Sequence, residues 1–199
     1  MQKSDLSQFL SKFPAKNYKP REIIHYSGQA SIGLFYLKRG FVRQYITSTE
    51  GKELTVHIFE KGSIFPLVWA FGKSWSEFNL QTLTSCQMAI VPETKYMQFL
   101  KSSPEELLKL TDRLMSGIIG LSKRLEIVSF DNANQRVKST LMYLKKHFGS
   151  RYHFSHEDIA SLTGLTRERV SIEMKKLKDA GIIDYKHANV TFITESPKS

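Results

Sequence analysis

From about Tyr18 to Pro92, short apolar runs alternate with polar residues, and Gly28, Gly33, Gly40, Gly51, Gly62 and Gly72 punctuate them. The runs Ile32–Leu37, Phe41–Ile46, Leu54–Phe59, Leu80–Thr84 and Met88–Val91 are rich in β-forming side chains. Phe41–Ile46 alternates as a half-buried strand does, and Glu50-Gly51 suits a hairpin tip. Many short strands at turn-marked spacing predict an antiparallel barrel or sandwich. Before them, residues 1–13 suit a short helix with Leu6, Phe9, Leu10 and Phe13 on one side.

The period changes at Pro104, which can open a helix, with Glu105 and Glu106 suited to its positive end. Leu107, Leu114, Leu121 and Val128 recur every seventh residue, with Thr111, Ile118 and Leu125 between them. This two-position seam, about three heptads long, is the pattern by which two helices of two subunits pair. A helix packed only on its own barrel is the alternative, and would show a wider stripe. Asp131-Asn132-Ala133-Asn134 is polar and suits a hinge. Arg136 to Phe148 reads as the next helix, with Val137, Leu141, Leu144 and Phe148 apolar, and Tyr152–Phe154 as a short strand.

Residues 154–179, FSHEDIASLTGLTRERVSIEMKKLKD, carry the clearest local signal. Ser155 and Asp158 stand at capping-box spacing, and Ile159, Ala160 and Leu162 form a buried side. Ala160 is small enough for a second helix to cross closely. Gly164 marks a sharp turn, Leu165 plugs it, and Thr166 can cap the second helix. Val170, Met174 and Leu177 then recur at i, i+4 and i+7, and Gly181 stops the helix. The pattern is that of a helix-turn-helix, whose second helix reads the DNA major groove. Ile182–Tyr185 and Val190–Thr194, around His187-Ala188-Asn189, read as the strands of a wing.

The chemistry of the outer face agrees. Arg167 and Arg169 can bind guanine bidentately, Glu168 can accept from cytosine, and Ser171 can bond a base or a phosphate. Ser155, Thr166, Ile172 and Lys175 complete the candidate DNA-contact set, and Lys176 and Lys178 follow. The net charge of +10, from 29 basic and 19 acidic residues, favours a polyanionic partner. The excess is spread along the chain, +6 in residues 1–130 and +4 in residues 131–199, so the motif and not the charge locates the site.

Other classes are poorly supplied. With one cysteine, Cys86, the chain has no internal disulfide, no zinc cluster and no cysteine-held iron–sulfur cluster. No nucleophile–base constellation, metal-ligand spacing or phosphate loop is present, so an enzyme is not expected. The polar start MQKSDLSQFL and the lack of a long apolar run imply a cytoplasmic protein without a membrane segment.

The order of barrel, long helix and winged helix-turn-helix resembles the cyclic-AMP receptor protein / fumarate-nitrate reductase regulator (Crp/Fnr) family. In the first part the resemblance rests on Gly33-Leu-Phe-Tyr-Leu-Lys-Arg-Gly40, Glu50-Gly-Lys-Glu-Leu54, Phe59-Glu-Lys-Gly-Ser-Ile-Phe65 and Thr82-Leu-Thr-Ser-Cys-Gln-Met88. In the second it rests on Asp158-Ile-Ala-Ser-Leu-Thr-Gly-Leu-Thr-Arg-Glu-Arg-Val-Ser171. It implies an α+β chain with a jelly-roll β-barrel effector domain over residues 1–103, a dimerisation helix over 104–131 and a winged helix-turn-helix over 132–199. It further implies a homodimeric transcription regulator on a palindromic operator, with RNA polymerase as a possible partner. The dimer residues would be Leu107, Leu114, Ile118, Leu121, Leu125 and Val128. The alternative is a small-molecule sensor that acts through protein contacts rather than DNA.

Departures from the family pattern bear on control. Members that bind cyclic AMP carry a Gly-Glu pair and, some ten residues later, an Arg-Ser pair. Here these positions fall at Pro66-Leu67 and near Ser76-Glu77-Phe78, and no arginine lies between Arg43 and Arg113. Lys73 is the only basic residue nearby, so cyclic AMP is not the expected effector. The N-terminal cysteines of oxygen-sensing relatives and the histidine of haem-sensing relatives are absent, so no cofactor is expected. The region holds Phe65, Trp69, Phe71, Trp75 and Phe78. Either an apolar or aromatic effector stacks among these rings, or the rings fill the nucleotide space. By resemblance, Phe65, Trp69, Phe71, Leu121 and Ser122 are the candidate effector-pocket residues. In the reading helix Glu168 matches the family's base-reading glutamate, while Ile172 replaces an arginine and can touch only a thymine methyl.

Overall fold

The computed structural model describes residues 6–72, 77–149, 153–186 and 189–193. Two compact units emerge, one of residues 1–51 and 55–117, the other of residues 52–54 and 118–199.

A short helix, α1 (Leu6–Ser11), leads into eight strands: β1 (Ala15–Tyr18), β2 (Ile23–His25), β3 (Leu34–Arg39), β4 (Val42–Thr47), β5 (Glu53–Phe59), β6 (Ile64–Phe65), β7 (Asn79–Thr82) and β8 (Cys86–Val91). The single-turn helix α2 (Leu67–Ala70) follows β6. The strands form two four-stranded sheets, ordered β1-β8-β3-β6 and β2-β7-β4-β5. Pairing is antiparallel, with Leu34 opposite Val91 and Val42 opposite Thr82. This is a jelly-roll double sheet. The expectation of a barrel is corrected to that extent, because among the described residues no hydrogen-bonded ladder closes one sheet onto the other. The physical cause is visible where the chain changes sheets. Between β3 and β4 it turns at Gly40 (φ +97°), where an added Cβ would lie 2.5 Å from Cys86 Sγ and 2.6 Å from Ser85 O. Only glycine fits that corner, and the ladder breaks there.

The five apolar runs all contain strands, offset by one or two residues at their ends. Their inward side chains, among them Leu34, Phe35, Leu37, Val42, Leu80, Met88 and Val91, form one core with Leu10 of α1. Full burial of each such side chain is worth about 1.5–3 kcal/mol. Cys86 belongs to this core, and burial pushes its thiol pKa up. Helix α3 (Glu93–Ser102), which the periodicity alone does not single out, adds Tyr96, Phe99 and Leu100 to the same core.

Helix α4 (Pro104–Phe130) starts at the expected proline and runs for 27 residues. Its only buried residue is Leu110. The second unit contains α5 (Ala133–Phe148), α6 (His156–Thr163), α7 (Arg167–Asp179) and the hairpin β9 (Ile183–Lys186)–β10 (Asn189–Phe192). Its buried apolar residues include Val137, Leu141, Leu144, Phe148, Phe154, Ile159, Ala160, Leu162, Val170, Met174, Leu177 and Ile183. Of the strand expected at Tyr152–Phe154, Tyr152 lies outside the described residues and Phe154 is not in a strand. Phe154 packs edge-on against Phe148 instead, with ring centroids 5.3 Å apart. His187, Ala188 and Thr194 of the expected wing also lie outside the described residues.

Candidate nucleic-acid interface

Local capping builds the α6–α7 pair. The Ser155 hydroxyl accepts from Asp158 N (3.2 Å), and the Asp158 carboxylate accepts from Ser155 N (2.9 Å) and Ser155 Oγ (2.8 Å). Helix α6 ends at Gly164 in the left-handed region (φ 69°), where Leu165 N donates to Ala160 O. A side chain at Gly164 would be strained. Thr166 then caps α7 by accepting from Arg169 N at 3.2 Å. Ser155 and Thr166 thus hold the ends of the two helices with the same hydroxyls that were candidates for DNA contact.

Helix α7 divides sharply by exposure. Val170 and Met174 have no exposed surface and Leu177 has 1%. Glu168, Ile172 and Lys175, spaced i, i+4, i+7, form an exposed stripe on the opposite side, and Ile172 is 49% exposed. Arg167 is exposed beside them, and Ser171 is half-buried at the edge. This is a solvent-facing strip that holds a carboxylate, cations and one apolar contact, without an internal partner for its apolar member.

Arg169 is placed differently from its neighbours. Its guanidinium lies 2.9 Å from Glu173 Oε1, and Lys176 Nζ lies 3.0 Å from the same oxygen. Asn134 Nδ2, from the first turn of α5, donates to Glu173 Oε2 at 3.1 Å. Burial acts to raise the Glu173 pKa, but hydrogen bonds from Lys176 and Asn134 and the charges of Lys176 and Arg169 outweigh it and hold the carboxyl below its ordinary value. Glu173 is therefore an organising residue that motif reading missed. Its signal is a carboxylate on the buried side, with a cation four residues before and another three after.

Two arginines were also missed. Arg124 Nη2 donates to Leu162 O at 2.7 Å. Arg136 donates through Nη2 to Val128 O (2.9 Å) and Asp131 O (3.2 Å), and through Nη1 to Thr163 O (3.4 Å). Both satisfy carbonyls at helix C-termini, where the backbone dipole is negative. The polar segment between α4 and α5 is thus anchored; Asn132 also caps α5 by accepting from Gln135 N at 3.0 Å.

Phe65, Trp69 and Phe71 do not share one surface. Phe65 (1% exposed) and Trp69 (3%) lie in the core, whereas Phe71 is 47% exposed. Phe59 and Phe65 stack at 4.0 Å, and Trp69 meets Phe78 at 5.9 Å and His25 at 4.9 Å. Trp75, with Lys73 and Ser76, lies outside the described residues. Leu121 is half-exposed on α4, and the Ser122 hydroxyl donates to Ile118 O within the helix. A cavity of about 530 Å³ opens elsewhere, lined in part by Leu10, Tyr36, Glu106 and Arg113.

The proposed dimer seam is open on the chain. Leu107, Leu114, Ile118, Leu121, Leu125 and Val128 are all exposed, and Leu108, Met115, Ile119 and Phe130 widen the stripe. Among the described residues no helix is long and apolar enough to cross a membrane, and no group of three or more His, Cys, Asp or Glu is placed to hold a metal ion.

Comparison with known proteins places these features in context. The family model described as a cyclic nucleotide-binding domain matches residues 15–103, and that described as a Crp-like helix-turn-helix domain matches residues 135–195. The cAMP-activated global transcriptional regulator CRP of Haemophilus influenzae is 28% identical over 182 residues, covering 87% of this chain and 79% of that protein. The cyclic AMP receptor protein of Thermus thermophilus is 23% identical over 175 residues, covering 87% and 81%. Among solved structures, the c-di-GMP responsive global regulator CLP of Xanthomonas campestris aligns with a TM-score of 0.83 at 20% identity, over 96% of this chain and 98% of its own. FixK2 from Bradyrhizobium japonicum aligns at 0.79 and 16% identity, over 92% and 93%. These structural likenesses concern the fold.

Proposed function

The chain belongs to the Crp/Fnr family of DNA-binding transcription regulators, and from that premise we propose that it works as a cytoplasmic homodimer which reads a two-fold symmetric operator without cyclic AMP. The observation that carries the DNA-reading assignment is the exposed face of α7, with Glu168, Ile172 and Lys175 projecting opposite a fully buried stripe and Arg167 exposed beside them. Base edges demand such a mix: a carboxylate for an amino group, guanidinium for guanine, an apolar atom for a thymine methyl. Homodimerisation is supported by the exposed seam of α4, because a contiguous apolar stripe on a helix is stable in water only when covered.

Independence from cyclic AMP is supported by the filling of the β-unit. By the family pattern Leu67 stands where a ribose-binding glutamate would be needed, and Lys73, which lies outside the described residues, is the only basic residue between Ile64 and Thr82. Trp69 and Phe78 already pack against each other there, and Phe65 is buried in the same core. The residues present do not fit an anionic cyclic nucleotide.

The test is fluorescence anisotropy with duplexes enriched from a random library, compared with the unselected library at two salt concentrations. Selective binding that weakens as salt rises is expected, because cationic contacts release counterions. Glu168→Ala is expected to lose about 1–3 kcal/mol of discrimination at one base pair per half-site. Addition of cyclic AMP is expected to leave the binding curve unchanged. No salt-sensitive binding would favour a sensor that contacts protein instead.

A further inference from the structure

His156 opens α6, and its Nδ1 lies 2.8 Å from Ser171 Oγ on α7. No capping motif needs this bond, since Ser155 and Asp158 already close the helix end. It links the first helix to a hydroxyl at the edge of the exposed reading face. The other groups that face the imidazole are Arg167 from α7 and the ring of Tyr185 from β9, whose centroid is 6.0 Å away, roughly edge-on. Glu157 adjoins it on α6.

We propose that His156 is a positioning residue for DNA recognition: it sets the direction of the Ser171 hydroxyl, and its protonation couples DNA affinity to pH. The inference rests on the reading of α7 as the DNA-contacting helix. A serine hydroxyl has one proton. When the neutral imidazole carries its proton on Nε2, Nδ1 accepts from Ser171, and the hydroxyl offers DNA only lone pairs. These repel phosphate oxygens and the acceptor atoms of guanine and thymine. When Nδ1 carries a proton, it donates to Ser171 Oγ and frees the O–H to donate outward. The imidazolium can only donate, so protonation selects the outward-donating hydroxyl.

Burial, and then the charge of Arg167, hold the free imidazole below its usual pKa of 6.5. A DNA acceptor bound to the outward Ser171 O–H favours the imidazolium that donates to Ser171 Oγ and raises that pKa, so complex formation takes up a proton. Affinity therefore rises as pH falls through the window between the two values, by at most about tenfold per pH unit for one proton.

Anisotropy titrations at constant ionic strength from pH 5.5 to 8.5, with duplexes enriched from a random library by the parent chain, test this. The parent is expected to bind more tightly towards acid. His156→Asn keeps a hydrogen-bonding group near the Nδ1 position but cannot titrate, and is expected to flatten the profile. Ser171→Ala should flatten it as well, and Ser171→Thr should restore it. A purely structural role for His156 would lower affinity at every pH without a change of slope. A parent-like slope in either His156→Asn or Ser171→Ala overturns the proposal. Failure of the parent to enrich any duplex at any pH overturns the DNA-reading function itself, and this role with it.

Discussion

Single residues in this chain act through what their neighbours leave unsatisfied. His25 is 2% exposed, meets the rings of Trp69 and Phe78, and its Nε2 has no hydrogen-bond partner among the described residues. Burial lowers its pKa from 6.5, so the folded chain holds it neutral. Below pH 6.5 the unfolded chain takes up a proton that the folded chain refuses. Stability is thus undiminished above that value and declines as pH falls towards the folded-state pKa. His25→Leu, close in volume and without a buried polar atom, should make the loss between pH 7.5 and 5.5 shallower than in the parent. Urea melts at the two pH values measure this; equal losses would show that His25 is not the titrating group. Glu173 shows the opposite arrangement. Its buried carboxylate is stabilised by three donors, one of them Arg169 of the same helix at 2.9 Å.

At the level of elements, helix ends matter more than helix middles. The last carbonyls of α4 and α6 have no intrahelical donors, and the Arg136 guanidinium supplies them from the first turn of α5. Arg124 does the same for Leu162 O. Hydrogen bonds to a charged donor are each worth about 1.5–3 kcal/mol, and a bare buried carbonyl carries a further desolvation cost. Arg136→Ala should therefore destabilise the second unit by at least about 2 kcal/mol. It should also speed amide exchange through Asp131–Gln135 more than in the core of α5. Exchange that accelerates evenly across α5 would mean that Arg136 does not secure the α4–α5 junction. The segment that reads as a polar hinge is in this way a fastened joint, because its polarity is used up in caps and in the Asn134–Glu173 bond.

For the whole molecule, the open question of assembly is carried by α4. Its seam leaves Ile118 at 55% and Leu125 at 68% exposure, values suited to an interface and not to a solvated surface. Ile118→Glu with Leu125→Glu places like charges on both partners of the proposed dimer. Sedimentation should show a shift from dimer to monomer, and operator affinity should fall by far more than for one lost contact, since two linked half-sites bind with the advantage of effective concentration. A variant that stays dimeric would send the search for the interface elsewhere. The charge of +10 adds association rate and salt sensitivity for DNA, but it does not say where on the molecule DNA sits.

Features whose physics is local were legible in the order of residues. Caps at Ser155 and Thr166, the glycine turn at 164, the heptad seam of α4 and the short strands were all readable, because each depends on residues within a few positions of one another. The same locality made the reading face of α7 visible as the complement of Val170, Met174 and Leu177. Only tertiary structure decided the rest. That the strands split into two sheets depends on Gly40 meeting Ser85 and Cys86, more than forty residues away. Helix α3 is held by a core to which distant strands contribute. Arg136, Glu173 and His156 gain their roles from carbonyls, amides and a hydroxyl on other helices. A periodic pattern states which side of an element must be buried, but not what will be there to bury it.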